Sequence, residues 1–355
     1  MCGIDQIQNM MPPFSKLCVM VTGANGFLAS HIVKDLLSSG HTVHACVRDA
    51  TRESSVEHLE ALPGASDRLN LFSTGDLSDV TSDMFDAPMR HCNAVMHAAT
   101  PLSVKFGAGH NGQTDIYEPA MKSTQELLHC LERHTDSVKC LVLTSSMAAV
   151  APRPEPPVKD ESHWSDPDAQ KARNNWYGCT KTSQEQLVRN WVKKARAEGK
   201  IDPDFVYAAI CPTMVIGPVL KEIDNPETVS GTMGSLQKWL QGSRSQAPND
   251  SMSFIHVQDC AKMHTRILEL SASEITAEQR YMSLVESLHW NDILKLFKEL
   301  HPKLPDYQPY QGDDMAKPTK FNLDNMKSLQ VPYKNTRETL KDSIEYLMQI
   351  GALDQ

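Results

Sequence analysis

Val19-Met20-Val21-Thr22-Gly23-Ala24-Asn25-Gly26-Phe27-Leu28-Ala29 is the stretch on which the reading of this chain turns. An apolar run passes through two glycines into a helical pattern, which reads as a strand, a tight turn and a first helical turn that together cradle a phosphate. Gly23 turns the chain where a side chain would clash, and Gly26 lets the main chain approach a pyrophosphate. Phe27, Leu28, Ile32, Val33, Leu36 and Leu37 then form one broad apolar stripe that stops at Gly40. A helix is predicted there, its amino end presenting free N–H groups to an anion. The spacing is Gly-x-x-Gly-x-x-Ala, not Gly-x-Gly-x-x-Gly, and a plain strand-to-helix turn would read the same way. The motifs further along decide between the two.

Beyond that helix, His41-Thr42-Val43-His44-Ala45-Cys46-Val47 alternates like a strand and ends in Arg48-Asp49, with Arg52 close behind. In a dinucleotide fold, the tip of the second strand faces the adenosine ribose. An acid there suits NAD, and a cation accommodates the 2′-phosphate of NADP. Arg48 comes first, so NADP is the expectation. Residues 50 to 70 read as an amphipathic helix and a Pro63-Gly64 turn. Leu69 to Leu77 reads as a third strand ending in an acid, and Ala94 to Thr100 as a fourth whose small residues leave room beside a ligand. This alternation of strands and helices predicts an α/β fold, a Rossmann-type doubly wound parallel sheet with right-handed crossovers. His97, at the end of a buried strand, reads as structural rather than catalytic.

A helix from about Glu118 to Arg133 leads to the apolar strand Lys139 to Ser146, which ends in the hydroxyls Thr144, Ser145 and Ser146. Ligands of open α/β sheets lie beyond the carboxyl ends of the strands, so these hydroxyls face the cofactor. A proline-rich acidic loop, Ala151 to about Asp168, is placed to overhang the site. Asn175-Trp176-Tyr177-Gly178-Cys179-Thr180-Lys181 then opens a helix on which Tyr177 and Lys181, four apart, share a face. A further strand, Phe205 to Ile210, runs into Cys211-Pro212-Thr213-Met214-Val215-Ile216-Gly217-Pro218.

Taken in order, Thr22-Gly-Ala-Asn-Gly-Phe27, Thr144-Ser-Ser146, Tyr177-x3-Lys181, Pro212-Thr-Met-Val-Ile-Gly-Pro218 and Phe254-Ile-His-Val-Gln-Asp259 resemble the extended short-chain dehydrogenase/reductase family. Val47-Arg48-Asp49, His97-Ala-Ala-Thr-Pro101, Asp160-Glu-Ser-His-Trp164 and Asn175-Trp-Tyr177 look like its branch of dihydroflavonol reductases, cinnamoyl-CoA reductases and fungal NADPH-dependent aldehyde/ketone reductases. The similarity spans roughly residues 16 to 345. It implies an NADPH-dependent reductase of an aldehyde or ketone, with Tyr177 as proton donor, Lys181 holding the nicotinamide ribose and a serine orienting the carbonyl oxygen. Ser145 and Ser146 compete for that role, and the family's serine matches Ser146. An ammonium at Lys181 is expected to lower the pKa of the Tyr177 phenol. The resemblance also puts Gly23, Gly26, Phe27 and Leu28 at the pyrophosphate, Arg48 and Arg52 at the 2′-phosphate, and Asp76 and Leu77 at adenine. Ala99 and Thr100 would line the nicotinamide ribose, and Pro212, Thr213 and Val215 the carboxamide. Two departures are Ala29, where the third glycine stands, and Ser123-Thr124-Gln125-Glu126, where relatives carry Gly-Thr-x-Asn.

The competing readings are an NAD-retaining nucleotide-sugar epimerase or dehydratase and a non-catalytic dinucleotide sensor. Arg48 and the apolar Met147-Ala148-Ala149-Val150 speak against the first, and the joint presence of Ser146, Tyr177 and Lys181 against the second.

At 355 residues the chain can bury a large core, and its 22% charged and 40% hydrophobic residues are ordinary for a globular protein. A net charge of −9 gives no reason to expect a nucleic-acid partner. Nine cysteines, several within apolar runs, fit a reducing compartment, and with no secretory signal or spanning segment the expected location is cytoplasmic, away from membranes. The fourteen histidines show no metal-ligand spacing, so no metal is expected. The expected division is a loose tail at 1–15, an NADP-binding unit over 16–214 with 251–272 returning to it, and a substrate-binding unit formed mainly by 215–250 and 273–355. The substrate pocket would draw on Leu102, Ser103, Met147, Ala148, the 151 to 175 loop and the segment after Gly217. Trp239 and Trp290 read as core residues. The partner is a small carbonyl compound, its identity and the oligomeric state being open.

Overall fold

The computed structural model describes residues 16–101, 111–223 and 225–354. The 1–15 tail and the pocket residues Leu102 and Ser103 lie outside the described residues. The strands, in chain order, are β1 (Cys18–Thr22), β2 (Thr42–Val47), β3 (Leu69–Ser73), β4 (Ala94–His97), β5 (Cys140–Thr144), β6 (Val206–Pro212), β7 (Met214–Ile216), β8 (Ser251–His256), β9 (Arg280–Ser283) and β10 (Ser287–His289).

Seven of them form one sheet in the order β3-β2-β1-β4-β5-β6-β9, every neighbouring pair parallel. This is the doubly wound Rossmann arrangement. Side chains alternate across each strand, so each strand feeds two cores. Val19, Val21, Ala45 and Val142 face the Phe27–Ser38 and Val257–Arg266 helices. Met20, Cys46, Val95 and Leu141 face the Glu118–Leu131 and Trp176–Ala197 helices. Burial on both faces explains why the strands read as near-continuous apolar runs.

The chain reverses its winding between β1 and β4. Their carboxyl ends, Thr22 and His97, stand side by side in register at this switch point, where the ligand crevice of a doubly wound sheet lies.

The smaller unit is a three-stranded sheet, β10-β8-β7, with a separate core that includes Met233, Leu236, Phe254, Trp290, Phe297 and Ile344. Trp239, half-buried, packs edge-on against the core residue Trp290 with ring centroids 4.9 Å apart, as expected of structural tryptophans.

The division differs from expectation at two places. β9 was assigned with residues 273–355 to the smaller unit, yet it pairs with β6 as the seventh strand of the large sheet. β8 was assigned with 251–272 to the large unit, yet it pairs with β7 and β10, and only the helix after it returns to pack on the Phe27–Ser38 helix. Both strands are short and mix polar with apolar residues, so composition alone does not say which sheet they join. Among the described residues no helix is long and apolar enough to cross a membrane.

Candidate active site at the carboxyl ends of the strands

Gly23 adopts φ +63°, a left-handed conformation, and a Cβ there would stand 3.0 Å from the Ala99 Cα. The turn after β1 and the turn after β4 are thus in backbone contact. Gly26 N–H donates to Gly23 O at 2.9 Å, closing the turn and starting the helix at Phe27. That helix has no side-chain cap and no acid in its first turn. Its first amides and its positive dipole end face the crevice, a donor set that fits a pyrophosphate.

Thr22 Oγ1 accepts from the amides of Ala98 and Ala99, at 3.2 and 3.1 Å, and lies 2.8 Å from His97 Nδ1. His97 Nε2 lies 3.1 Å from Thr124 Oγ1, which itself donates to Ala120 O and accepts from Gln184. The bonds assign the tautomer. Thr22 O–H donates to Nδ1, and Nε2–H donates to Thr124. Burial, with Lys181 nearby, holds the His97 pKa down to about 3, so the ring is a neutral strut between β1, β4 and two helices. That agrees with the structural reading of His97.

Arg48 leaves the end of β2 and pairs with Asp76 at 3.2 Å, both well exposed. β3 stops at Ser73, short of the Leu77 end expected from sequence. Asp76 sits in the turn beyond, its carboxyl held below the ordinary value by the Ser78 amide, the Ser78 hydroxyl and Arg48. Leu77 is half-buried in the same turn, and Arg52 stands exposed as the N-cap of the Glu53–Glu60 helix.

Ser145 and Ser146 diverge because consecutive residues of extended chain point to opposite sides. Ser145 N–H still bonds Ile210 O, at 2.8 Å, and its hydroxyl donates to Glu185 behind the sheet's end. Ser146, at φ −161° and ψ 154°, turns the other way. Its oxygen accepts from Ala148 N–H at 3.1 Å, on the side of the Tyr177 phenol, whose raised pKa it partly offsets.

Tyr177 and Lys181 are presented by the Trp176–Ala197 helix, whose start is set by the Asn175 carboxamide accepting from Gly178 N–H at 3.0 Å. Lys181 Nζ donates to Thr100 Oγ1 and to Thr144 O, each at 2.8 Å. Burial lowers its pKa to about 8, against the opposing pull of Cys211 and Glu185. The expected lowering of the Tyr177 pKa is not what this arrangement produces. Burial pushes the phenol up, and the nearby Ser146 hydroxyl only offsets part of it.

Pro212 ends β6 and Val215 is buried in β7. Between them, Thr213 donates its amide to Ser283 O and its hydroxyl to Ser253 O, stitching the two sheets together at the crevice.

Sequence reasoning missed a buried clamp beneath this site. Glu185, one turn beyond Lys181, pairs with Arg280 of β9, both fully buried. The Arg280 guanidinium also donates to the carbonyls of Glu161, His163 and Ala149 and lies 3.8 Å from the Trp164 ring centroid. One side chain thus anchors the acidic loop before the Tyr177 helix. An arginine opening a strand directly before Tyr281 and Met282 was the available signal. His264 was missed too: its Nε2 lies 2.9 Å from Thr144 Oγ1, and its Nδ1 donates to Cys260 O at 2.8 Å. Glu126, at the departing position of Ser123 to Glu126, accepts from Ser82 N–H at 3.0 Å.

A family model described as the NAD dependent epimerase/dehydratase family matches residues 19–279. Cinnamoyl-CoA reductase CAD2 of Medicago truncatula is 31% identical over 336 residues, covering 93% of this chain and 95% of that one. A bifunctional dihydroflavonol 4-reductase/flavanone 4-reductase of Malus domestica is 29% identical, covering 95% and 89%. The yeast methylglyoxal/isovaleraldehyde reductase Gre2, solved in complex with NADPH, superposes with a TM-score of 0.75 at 22% identity, covering 95% of this chain and 100% of that one. The chain belongs to the NAD dependent epimerase/dehydratase family, the extended short-chain dehydrogenase/reductases, and its relatives fall in the cinnamoyl-CoA and dihydroflavonol reductase branch.

Proposed function

We propose that this protein is an NADPH-dependent reductase of an aldehyde or ketone carbonyl, with Tyr177 as general acid assisted by Lys181 and Ser146. The observation that carries the reading is the convergence of Tyr177, Ser146 and Lys181 at the carboxyl end of β5, beside the glycine turn. When bound, NADPH supplies the hydride. Gly23, Gly26, Phe27 and Leu28 would hold its pyrophosphate, Arg48 and Arg52 the 2′-phosphate, and Asp76 and Leu77 the adenine. Ala99, Thr100, Tyr177 and Lys181 would meet the nicotinamide ribose, and Pro212, Thr213 and Val215 the carboxamide.

The chain's own part is to polarise the carbonyl and to place a proton. Ser146 and Tyr177 both have hydroxyls to direct at one carbonyl oxygen, and the Tyr177 proton passes to that oxygen as negative charge develops there. The raised phenol pKa keeps Tyr177 protonated until that moment. Lys181, fixed by Thr100 and Thr144, is a buried cation whose field favours the phenolate that remains. The smaller sheet and its helices are read as the substrate side. The substrate is a small carbonyl compound, and the reaction is placed in the cytosol.

The test is the loss of NADPH absorbance, and separately of NADH absorbance, with aromatic and aliphatic aldehydes, ketones, dihydroflavonols and acyl-CoA esters. Turnover with NADPH that disappears in Tyr177→Phe is expected. Tight dinucleotide binding without turnover of any of these compounds would overturn the reductase reading.

A further inference from the structure

A second cluster of chemically able side chains lies at the other end of the large sheet, where the proposed reaction uses nothing. Cys18 opens β1, His44 lies within β2 and Cys92 stands in the turn before β4. Cys18 Sγ is 3.5 Å from Cys92 Sγ, and Cys92 Sγ is 3.4 Å from His44 Nδ1. All three ligand atoms lie within 4.8 Å of one another. The Pro88 carbonyl oxygen closes the group, 2.7 Å from His44 Nδ1 and 3.2 Å from Cys92 Sγ.

These separations have a chemical meaning. A tetrahedral zinc ion with Zn–S near ~2.3 Å and Zn–N near ~2.0–2.1 Å holds its ligand atoms roughly 3.5–3.8 Å apart. The Cys18–Cys92 sulfur–sulfur distance and the Cys92–His44 sulfur–nitrogen distance fall at or just under that range, and the Pro88 oxygen, 2.7 Å from His44 Nδ1, moves outward to take the fourth position. The set of two sulfurs, one imidazole nitrogen and a carbonyl oxygen suits a thiophilic divalent cation better than a hard one. Cys18 is half-buried, which leaves a way in. We propose that Cys18, His44 and Cys92 form a zinc site, with the Pro88 carbonyl in the fourth position, tying β1, β2 and the turn into β4 together.

Binding releases the protons of both thiols. His44 Nδ1–H, which now donates to Pro88 O, gives up its proton as the ring moves to the Nε2–H tautomer. Two protons leave per ion, there is no change of oxidation state, and affinity rises with pH. The other such cluster among the described residues, Asp86, Cys130 and His134, is different in kind. Its Asp86 oxygen is taken by Arg133 and His134, each at 3.0 Å, and the guanidinium already supplies the positive charge.

The sequence hides this site because its members are far apart, Cys18 and Cys92 being 74 positions apart and His44 and Cys92 48 apart. No short ligand motif exists to be read.

The experiment is a titration of the reduced, chelator-treated full chain with Co²⁺, followed by thiolate-to-cobalt charge-transfer absorption, and then a melt with and without Zn²⁺. Saturation at one Co²⁺ per chain, displacement by Zn²⁺ and a Zn²⁺-dependent rise in Tm are expected. Cys18→Ser, Cys92→Ser and His44→Gln should each weaken binding by at least about tenfold and abolish the rise in Tm, while Cys130→Ser leaves both unchanged. Cys18→Ser, at a half-buried position, keeps the test decisive if the Cys92 variant fails to fold. Absence of the band in the reduced wild type, or its persistence in Cys18→Ser, overturns the proposal. So does a chain that forms a Cys18–Cys92 disulfide in air and, after that disulfide is reduced, shows no affinity for cobalt.

Discussion

Lys181 Nζ and the Thr144 carbonyl oxygen meet at 2.8 Å, and the hydroxyl of the same Thr144 is held by His264 Nε2 at 2.9 Å. A histidine on the returning helix therefore positions the acceptor of the buried ammonium. Replacing His264 by Leu leaves the Thr144 hydroxyl without its partner and loosens the Lys181 cradle. The expected result is a fall in kcat of about tenfold with KM for NADPH little changed, whereas His264→Gln, able to accept from Thr144, restores part of it. Steady-state kinetics of the two variants check this.

Ser145 and Ser146 make a pair of contrasting variants. Ser146→Ala removes a donor facing Tyr177 and is expected to lower kcat by about 10²- to 10³-fold while leaving Tm near the wild type. Ser145→Ala removes a donor from buried Glu185, so it is expected to cost about 1–3 kcal/mol of stability with a much smaller effect on kcat. Paired denaturant titrations and turnover measurements separate the two.

Arg48 lies exposed beside Asp76, where an incoming 2′-phosphate can take its guanidinium. Arg48→Ala is expected to raise KM for NADPH by roughly 10- to 100-fold, the worth of a hydrogen bond between charged groups, and to leave KM for NADH nearly unchanged. A similar loss for both cofactors would place the 2′-phosphate elsewhere.

The pKa of Lys181, lowered to about 8 by burial, predicts how reduction varies with alkaline pH. Below that value the ammonium is charged and supports the phenolate; above it the charge is lost. kcat/KM should fall as pH rises through about 8, well before the phenol ionises. Stability moves the other way. The unfolded chain holds this proton up to about 10.4, so folding stability rises between the two values. Lys181→Met should remove both effects.

His31, His256 and His264 are held near about 4, and His97 near about 3, each chiefly by burial. From about 6.5 downward the unfolded chain takes up protons that the folded protein refuses. Stability is therefore expected to fall with falling pH from about 6.5 to about 4, each such ring adding up to about 1.4 kcal/mol per pH unit. Urea midpoints measured at pH 7, 6, 5 and 4 check this. Flat midpoints over that range would show that these rings charge inside the fold.

Local pattern carries some parts of this protein completely. The apolar runs around Val21, Val95 and Val142, alternating with amphipathic stripes, specify a parallel sheet buried on both faces. Gly23 and Gly26 specify the cradle because a strand-to-helix turn needs particular backbone freedom, and Tyr177 and Lys181 share a face through helix geometry alone. Each of these follows from neighbours within one or two turns of chain. The tertiary structure decided the rest. β8 and β9 could be assigned to their sheets only through their partners, and the hydroxyls of Ser145 and Ser146 turn to different partners, Glu185 for the first and the Ala148 amide for the second. The Tyr177 pKa moved up rather than down because the packed elements remove water from the phenol. Arg280 reaches Ala149, Glu161, His163 and Glu185, and Cys18 meets His44 and Cys92, across separations that leave no trace in sequence spacing. The physical reason is common to all of them. Periodicity encodes which face of an element is buried, whereas hydrogen-bond partners, desolvation and ligand sets depend on which elements the chain brings together.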